Sequence, residues 1–189
     1  RLVMDVANPN DIERIVRAVL QSMNKGGAAA PVRMAAKRAA GVFEQLDDAV
    51  AAADQAQKQL KSVAMRGLCI EAIRRAGVEH ARELAELAVA ETGMGRVEDK
   101  IAKNLSQARA TPGIECLSPR VLSGDRGLTL IENAAWGVIA SVTPSTNPAA
   151  TVINNAISMI AAGNTVVFAP HPAAKKVSQR AVSLINEAV

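Results

Sequence analysis

The spacing of apolar residues predicts an amphipathic helix at the start of the chain. Over residues 9–24, apolar side chains recur every third or fourth position, at Ile12, Ile15, Val16, Val19, Leu20 and Met23. Asn10 or Asp11 is expected to cap this helix, and we assign residues 1–25 to it. Residues 26–40 contain Gly26, Gly27 and Pro31 without an apolar period, which predicts a flexible linker.

The apolar stripe of this helix needs a surface on which to be buried. Docking on its own domain and docking on another protein are both compatible with the pattern. The length of the linker favours a detachable helix that packs against another protein.

Residues 41–117 are predicted to be mainly helical, after a short extended segment at 41–43. The spacing predicts four helices, over Leu46–Leu60, Ser62–Ala76, Glu79–Glu91 and Val97–Ala108. Asp47 and Ser62 stand where N-terminal capping side chains are expected. Gly77 and Gly93 stand where C-terminal caps are expected.

The pattern then changes to short apolar runs separated by turn residues. Residues 118–132 predict a β-hairpin, with strands at Leu117–Leu122 and Leu128–Glu132 joined through residues 123–127. Residues 133–189 predict a parallel βαβα unit, which makes the fold class α/β. Its predicted elements are strand Gly137–Val142, helix Pro148–Ala162, strand Thr165–Ala169 and helix Ala173–Ala188. The first of these helices has an apolar face formed by Val152, Ile153, Ile157 and Ile160, and Gly163 ends it.

Composition narrows the classes of function. The chain has 189 residues, of which 49% are hydrophobic and 21% charged, which is typical of a soluble globular domain with a modest extension. The net charge of +4 is scattered and there are only three aromatic residues, which argues against nucleic-acid binding. No membrane span or secretory signal is predicted, so the cytoplasm is the expected location. Two cysteines and two histidines make a dedicated metal site improbable.

Two turns follow the predicted parallel strands, where α/β sheets bind their ligands. The first turn contains Asn147, whose side-chain amide suits either an oxyanion donor or an N-cap for the helix that begins at Pro148. Local pattern alone favours the cap. The second turn contains His171, for which we expect a nucleotide-contacting or structural role rather than metal binding or base catalysis. The sequence has no GxGxxG or Walker A phosphate loop.

Several separated motifs resemble the coenzyme-A-acylating aldehyde dehydrogenases. They are residues 137–178 (GVIASVTPSTNPAATVINNAISMIAAGNTVVFAPHPAAKKVS), residues 91–104 (ETGMGRVEDKIAKN), and the shorter runs at 111–115 and 123–125. The likeness is strongest to the acetaldehyde and propionaldehyde enzymes of bacterial microcompartments, and it covers about residues 41–189. It implies the first part of an aldehyde-dehydrogenase-type Rossmann-like nucleotide-binding domain, with the hairpin at 118–132 serving in oligomerisation.

The resemblance also implies an activity and roles for particular residues. The complete enzyme would use NAD to oxidise a short-chain aldehyde, with coenzyme A as the co-substrate that leaves as acyl-CoA. Asn147 would donate to the thiohemiacetal oxyanion, and Thr143, Pro144 and Ser145 would line the nicotinamide side. Ala169, Pro170, His171 and Pro172 replace the Lys-Pro segment by which ordinary members contact the adenosine ribose, which suggests a looser nucleotide site.

The family's nucleophilic cysteine lies downstream of the region that this sequence matches. Cys69 falls within a helical pattern and Cys116 precedes the hairpin, and neither matches the nucleophile's motif. Both are expected to be small buried hydrophobes. Because the sequence ends at Val189 within a helical pattern, we expect an N-terminal part of the enzyme that is inactive alone.

Residues 10–23 resemble the family's encapsulation peptide, which docks on a microcompartment shell protein. This resemblance implies a location inside a bacterial microcompartment, and a homo-oligomer when the enzyme is complete. The alternative is a non-catalytic targeting or assembly module. No membrane or nucleic-acid partner is expected.

Overall fold

The computed structural model describes residues 39–189, and the predictions for the N-terminal helix and for most of the linker lie outside this range. Four helices come first: α1 (Leu46–Gln57), α2 (Val63–Glu79), α3 (Ala81–Thr92) and α4 (Val97–Ala110). After a 3₁₀ turn (Ile114–Cys116) follow the strands β1 (Arg120–Gly124) and β2 (Gly127–Ile131). The last part consists of β3 (Val138–Thr143), α5 (Pro148–Ala161), β4 (Thr165–Pro170), a 3₁₀ turn (Pro172–Ala174) and α6 (Lys175–Ala188).

All four helices predicted between residues 46 and 108 are present, with ends shifted by a few residues. The Ser62 hydroxyl accepts a hydrogen bond from the Met65 N–H at 3.1 Å, so the predicted cap of α2 is confirmed. Gly93 ends α3 in the left-handed conformation, with φ +66°, as predicted. Asp47 lies in the first turn of α1 and is not its cap, because Gln45 holds the N-cap position without a side-chain bond.

The prediction that Gly77 ends a helix is wrong. Gly77 lies inside α2, which continues to Glu79. It is buried where α2 passes α4 and α5, and an added Cβ would lie 3.0 Å from the Cβ of Ala108. The missing side chain therefore allows these helices to approach closely.

The hairpin is confirmed, with a shorter connection than expected. β1 and β2 pair antiparallel from Arg120 opposite Ile131 to Gly124 opposite Gly127, which leaves only Asp125 and Arg126 as the turn. All residues of both strands are exposed. The extended segment expected at residues 41–43 forms no strand.

The predicted βαβα unit is also confirmed. β3 and β4 pair in parallel, from Val138 opposite Thr165 to Thr143 opposite Pro170. The buried side chain of Asn164 aligns the starts of the two strands, because its Oδ1 accepts from the N–H groups of Trp136 and Gly137 at 2.6 and 2.9 Å. Because the strands are parallel and start together, their carboxyl ends lie at the same edge of the sheet.

One apolar core joins the helical region to the βαβα unit. Its large buried members come from α2, α3, α5 and α6, namely Ile70, Ile73, Leu84, Val152, Ile153, Ile157, Val177 and Leu184. Phe168 of β4 packs against this core, whereas Thr165, of opposite parity on the strand, donates through its hydroxyl to the Ala53 carbonyl of α1. Helices therefore cover both faces of β4, and they leave the carboxyl edge of the strands accessible.

Candidate functional site

The two predicted turns lie side by side at the carboxyl edge of the parallel strands. Thr143 ends β3, and Pro170 ends β4 directly opposite it. The N–H of His171 donates to the Thr143 carbonyl at 3.0 Å, which continues the strand pairing into the turns. Ligands of α/β sheets bind at this edge, so the geometry brings the predicted residues of both turns to one place.

Thr143 offers an unused polar group at this edge. Its side chain is almost fully buried, and its hydroxyl oxygen has no hydrogen-bond partner among residues 39–189. A buried polar atom without a partner is costly, which makes it a candidate contact for a ligand. Pro144 is exposed beside it and Ser145 is half-buried.

Asn147 begins α5 but does not cap it with its side chain. Its carbonyl accepts the first helical hydrogen bond, from the Thr151 N–H at 3.0 Å, and Pro148 holds the first helical position. The side-chain amide makes no capping hydrogen bond. The interpretation of Asn147 as a side-chain cap is therefore wrong, although it does hold the N-cap position.

The Asn147 amide bonds instead to a lysine of α4. The Lys103 Nζ donates to the Asn147 Oδ1 at 3.1 Å. One turn earlier on the same helix, the Lys100 Nζ donates to the Thr146 carbonyl at 2.8 Å. The segment 91–104 and the turn 143–148, which the sequence shows as separate motifs, therefore meet.

Lys100 is a buried cation, with 7% of its surface exposed. Burial lowers the pKa of its ammonium, and the like charge of Lys103 lowers the pKa further. Within residues 39–189 neither lysine forms an ion pair. In the sequence, both lysines belong to the motif at residues 91–104 without a predicted role of their own. Their spacing of three residues on a predicted helix is the one local signal that they share a face.

His171 supports the second turn. Its Nδ1 accepts from the Ala173 N–H at 3.1 Å and so caps the 3₁₀ turn that leads into α6. An accepting Nδ1 is unprotonated, so the neutral ring carries its proton on Nε2, which stays available as a donor. Ala169 is exposed and Pro170 half-buried, and no lysine stands at the end of β4.

Glu91 occupies the start of α6. Its two carboxylate oxygens accept from the N–H groups of Lys176 and Val177, both at 2.8 Å. A carboxylate is favourable there because the N-terminus of a helix carries partial positive charge. Glu91 belongs to the motif at residues 91–104, and nothing in its local sequence indicates this contact with α6.

Neither cysteine lies at this edge. Cys69 is half-buried in α2, and burial raises the pKa of its thiol. Cys116 is exposed in the 3₁₀ turn before the hairpin, so the expectation that it is a buried hydrophobe is wrong. In the part of the chain that the structure describes, no group of three His, Cys, Asp or Glu side chains is placed to hold a metal. Nor does any helix of this part combine the length and apolar character that crossing a bilayer requires.

Polar groups of both turns gather at this edge. The Thr143 hydroxyl is buried and has no hydrogen-bond partner among residues 39–189, and the His171 Nδ1 accepts from the Ala173 N–H. The Nδ2 of Asn147 donates to no described residue and suits an oxygen that gains negative charge.

Comparison with known proteins shows the same relationship over most of the chain. A profile of the aldehyde dehydrogenase family matches residues 29–189. The chain is 71% identical over 182 residues to acetaldehyde dehydrogenase (acetylating) EutE of Salmonella typhimurium, which covers 96% of the chain and 38% of that protein. The resemblance to acylating aldehyde dehydrogenases is thereby confirmed.

Solved structures agree with this result. The propionaldehyde dehydrogenase of the Clostridium phytofermentans fucose utilisation microcompartment superposes with a TM-score of 0.77 at 52% identity, over 79% of this chain and 35% of that one. The Rhodopseudomonas palustris propionaldehyde dehydrogenase with bound coenzyme A and an acylated cysteine gives 0.76 at 46%, over 78% and 35%. The chain thus spans less than two fifths of the length of these relatives. By its sequence profile and its fold, the chain belongs to the aldehyde dehydrogenase family.

Proposed function

We propose that this chain forms one wall of the active site of an NAD-dependent, coenzyme-A-acylating aldehyde dehydrogenase that converts a short aldehyde into acyl-CoA. The observation that carries the proposal is the orientation of Asn147 at the carboxyl edge of the strands. Its Oδ1 accepts from Lys103, and its Nδ2 remains available. Because a lysine ammonium can only donate, it must face the oxygen of the amide and leave the nitrogen for a substrate.

The chemical role of Asn147 follows from this orientation. When a thiolate attacks the aldehyde carbon, the carbonyl oxygen acquires negative charge. A fixed N–H donor binds that oxyanion more strongly than the neutral carbonyl, so it lowers the barrier to attack.

The nucleotide would lie across the ends of β3 and β4. Thr143, Pro144 and Ser145 would hold its nicotinamide side, and residues 169–172 its adenosine side. Position 169 holds alanine rather than lysine, which supports weaker binding of the nucleotide. Weaker binding suits the exchange of the nucleotide for coenzyme A. When bound, NAD would accept the hydride, and coenzyme A would supply the thiol that receives the acyl group.

The proposal assigns the nucleophile to a cysteine other than Cys69 and Cys116. The raised pKa of Cys69 disfavours its thiolate, and Cys116 lies in the segment leading to the hairpin. The Rhodopseudomonas palustris relative carries an acylated cysteine together with coenzyme A, which supports the same chemistry here.

We further propose that the complete enzyme works as a homo-oligomer inside a bacterial microcompartment. The hairpin supports the first part, because Val121, Leu122, Leu128 and Leu130 are exposed on it. The amphipathic pattern of residues 10–23 and the microcompartment origin of the Clostridium relative support the second. Light scattering on the complete protein would test the oligomeric state, and a monomer would contradict it.

The catalytic proposal is tested by substitutions in the protein encoded by the complete open reading frame. Asn147→Ala should lower kcat for acyl-CoA formation by about 10²–10³-fold, the usual effect of losing an oxyanion donor. Asn186→Ala, at an exposed asparagine of α6, is the matched control and should leave kcat unchanged.

A second variant tests the assignment of the nucleophile. The double substitution Cys69→Ser and Cys116→Ser should retain the activity. Near-normal turnover of Asn147→Ala, or loss of acyl-CoA formation in the double cysteine variant, would refute the corresponding part of the proposal.

A further inference from the structure

We propose that Lys103, supported by Lys100, is a positioning residue that holds the Asn147 amide in its productive orientation. The inference rests on the proposed function and deepens it. It starts from two hydrogen bonds that join α4 to the turn after β3, in which one lysine holds the backbone and the next holds the side chain.

The two contacts constrain different atoms of the same turn. Lys100 and Lys103 lie on one face of α4 because three residues make nearly one helical turn. Lys100 binds the carbonyl of Thr146 at 2.8 Å, which fixes the backbone just before Asn147. Lys103 binds the Oδ1 of Asn147 at 3.1 Å, which fixes the amide itself.

The position of Lys100 is unfavourable for the stability of the fold. Lys100 is buried with no carboxylate partner among residues 39–189, and a like charge stands one turn away. Gly95, in the loop before α4, has φ +75° and lies beside the stem of Lys100, since an added Cβ would be in ordinary contact with the Lys100 Cε at 3.4 Å. A helix that served packing alone would place an apolar residue at position 100, so the buried cation points to a purpose at the turn.

The two lysines would prevent the side-chain amide of Asn147 from rotating into the opposite orientation. Rotation of an asparagine side chain by half a turn exchanges Oδ1 and Nδ2, two groups of nearly equal size. The flipped amide would present an oxygen to the developing oxyanion and repel it. The Lys103 ammonium has no acceptor, so it stabilises only the orientation that presents the N–H groups to the substrate.

A double-mutant cycle in the complete protein tests this role. The single variants are Lys103→Met and Asn147→Ala, and the double variant combines them. Lys103→Met should lower kcat about tenfold with little change in KM for NAD, because a donor that is misplaced for part of the time stabilises the transition state less. In the Asn147→Ala background the same substitution should leave kcat unchanged, since Lys103 acts through the missing amide.

Conservative and matched variants separate positioning from general structure. Lys103→Arg keeps a cationic donor and should restore most of the lost kcat. Lys61→Met removes an exposed lysine whose ammonium makes no hydrogen bond or ion pair within residues 39–189, and it should change nothing. Lys103 is itself exposed, so the thermal midpoint of Lys103→Met should match that of the parent protein.

The outcomes distinguish the two levels of the argument. If Asn147→Ala leaves kcat unchanged, the proposed function of the site is overturned. If Asn147→Ala lowers kcat but Lys103→Met has no effect, or has the same effect in both backgrounds, only the positioning role is overturned. Loss of the fold in Lys103→Met, or no recovery in Lys103→Arg, also overturns it.

Discussion

Replacing Glu91 should loosen the start of α6 without disturbing the rest of the fold. Glu91 lies beside α6 although it precedes the first residue of that helix, Lys175, by 84 positions in the chain. Its carboxylate accepts from the N–H groups of both Lys176 and Val177. The residue at the N-cap position, Ala174, has no side chain that could replace it, and the first turn of α6 contains no acidic residue.

The size of the effect follows from the two contacts. Losing an N-terminal cap costs about 1 kcal/mol, and losing a negative charge at a helix N-terminus costs a further 0.3–1 kcal/mol or so. Glu91→Ala loses both contributions, so the free energy needed to open the first turn should fall by about 2 kcal/mol. Glu91→Gln keeps one acceptor oxygen and should lose about 1 kcal/mol. At about 1.4 kcal/mol per factor of ten, these losses correspond to roughly 30-fold and 5-fold more frequent opening.

Amide hydrogen exchange measured by mass spectrometry on the complete protein reads this opening directly. The N–H groups of Lys176 and Val177 should exchange faster in Glu91→Ala, and to a smaller extent in Glu91→Gln, while α2 and α4 keep their protection. Glu132→Ala, at an exposed glutamate after β2, is the control. Unchanged exchange at the start of α6, or an equal increase throughout the chain, would refute the capping role.

Two further predictions concern acid stability and the N-terminal helix. Glu83 accepts a hydrogen bond from Arg180, and this bond is the main cause that holds the pKa of Glu83 below its ordinary value. The pair therefore stabilises the fold fully at pH values above the pKa of Glu83 in the unfolded chain. Its contribution is lost as the pH falls through the lower pKa of Glu83 in the folded chain. Arg180→Met should therefore lower the free energy of unfolding at neutral pH by less than about 1 kcal/mol, because both groups are partly exposed. The thermal midpoints of the variant and the parent protein should converge as the pH falls through the folded pKa of Glu83, and parallel pH curves would contradict this. Fusion of residues 1–25 to a fluorescent protein should recruit it to microcompartment shells, and Val16→Glu in the apolar stripe should abolish recruitment whereas Arg17→Glu off the stripe should matter less. Diffuse fluorescence of the unmutated fusion would show that these residues do not target the shell.

Local sequence pattern predicted the elements of this fold well, and it failed where distant segments determine the structure. The apolar stripe of α5 matches its buried face, and the apolar runs of β3 and β4 match the strands, so the positions of all three were found to within a residue or so. The strands themselves are mostly half-buried, and Val142 is exposed. Gly77 was misassigned because a glycine that ends a helix and a glycine that admits a neighbouring helix look alike in sequence. The contact that distinguishes them, with Ala108, lies on another helix.

The same limit explains what was found and what was missed at the site. The rule that ligands bind at the carboxyl edge of parallel strands located the two turns that contain Thr143, Asn147 and His171, and the family resemblance supplied the roles expected of these residues. It gave no information on side chains that reach this edge from a helix elsewhere. Lys100 and Lys103 act on residues 46 and 44 positions away, and no periodicity within α4 reveals a partner at that separation.

Asn147 shows how one structural contact changes the interpretation of a residue. In sequence, an asparagine before Pro148 satisfies every local requirement of a helix cap, and the physical chemistry of capping is sound. In the structure its backbone takes the N-cap position while Lys103 holds its side-chain oxygen, so the amide nitrogen remains free for chemistry. Capping and the proposed catalytic role do not compete, because the backbone serves the helix and the side chain would serve the proposed site. The lysine contact also makes the catalytic role testable at a residue that need not touch the substrate.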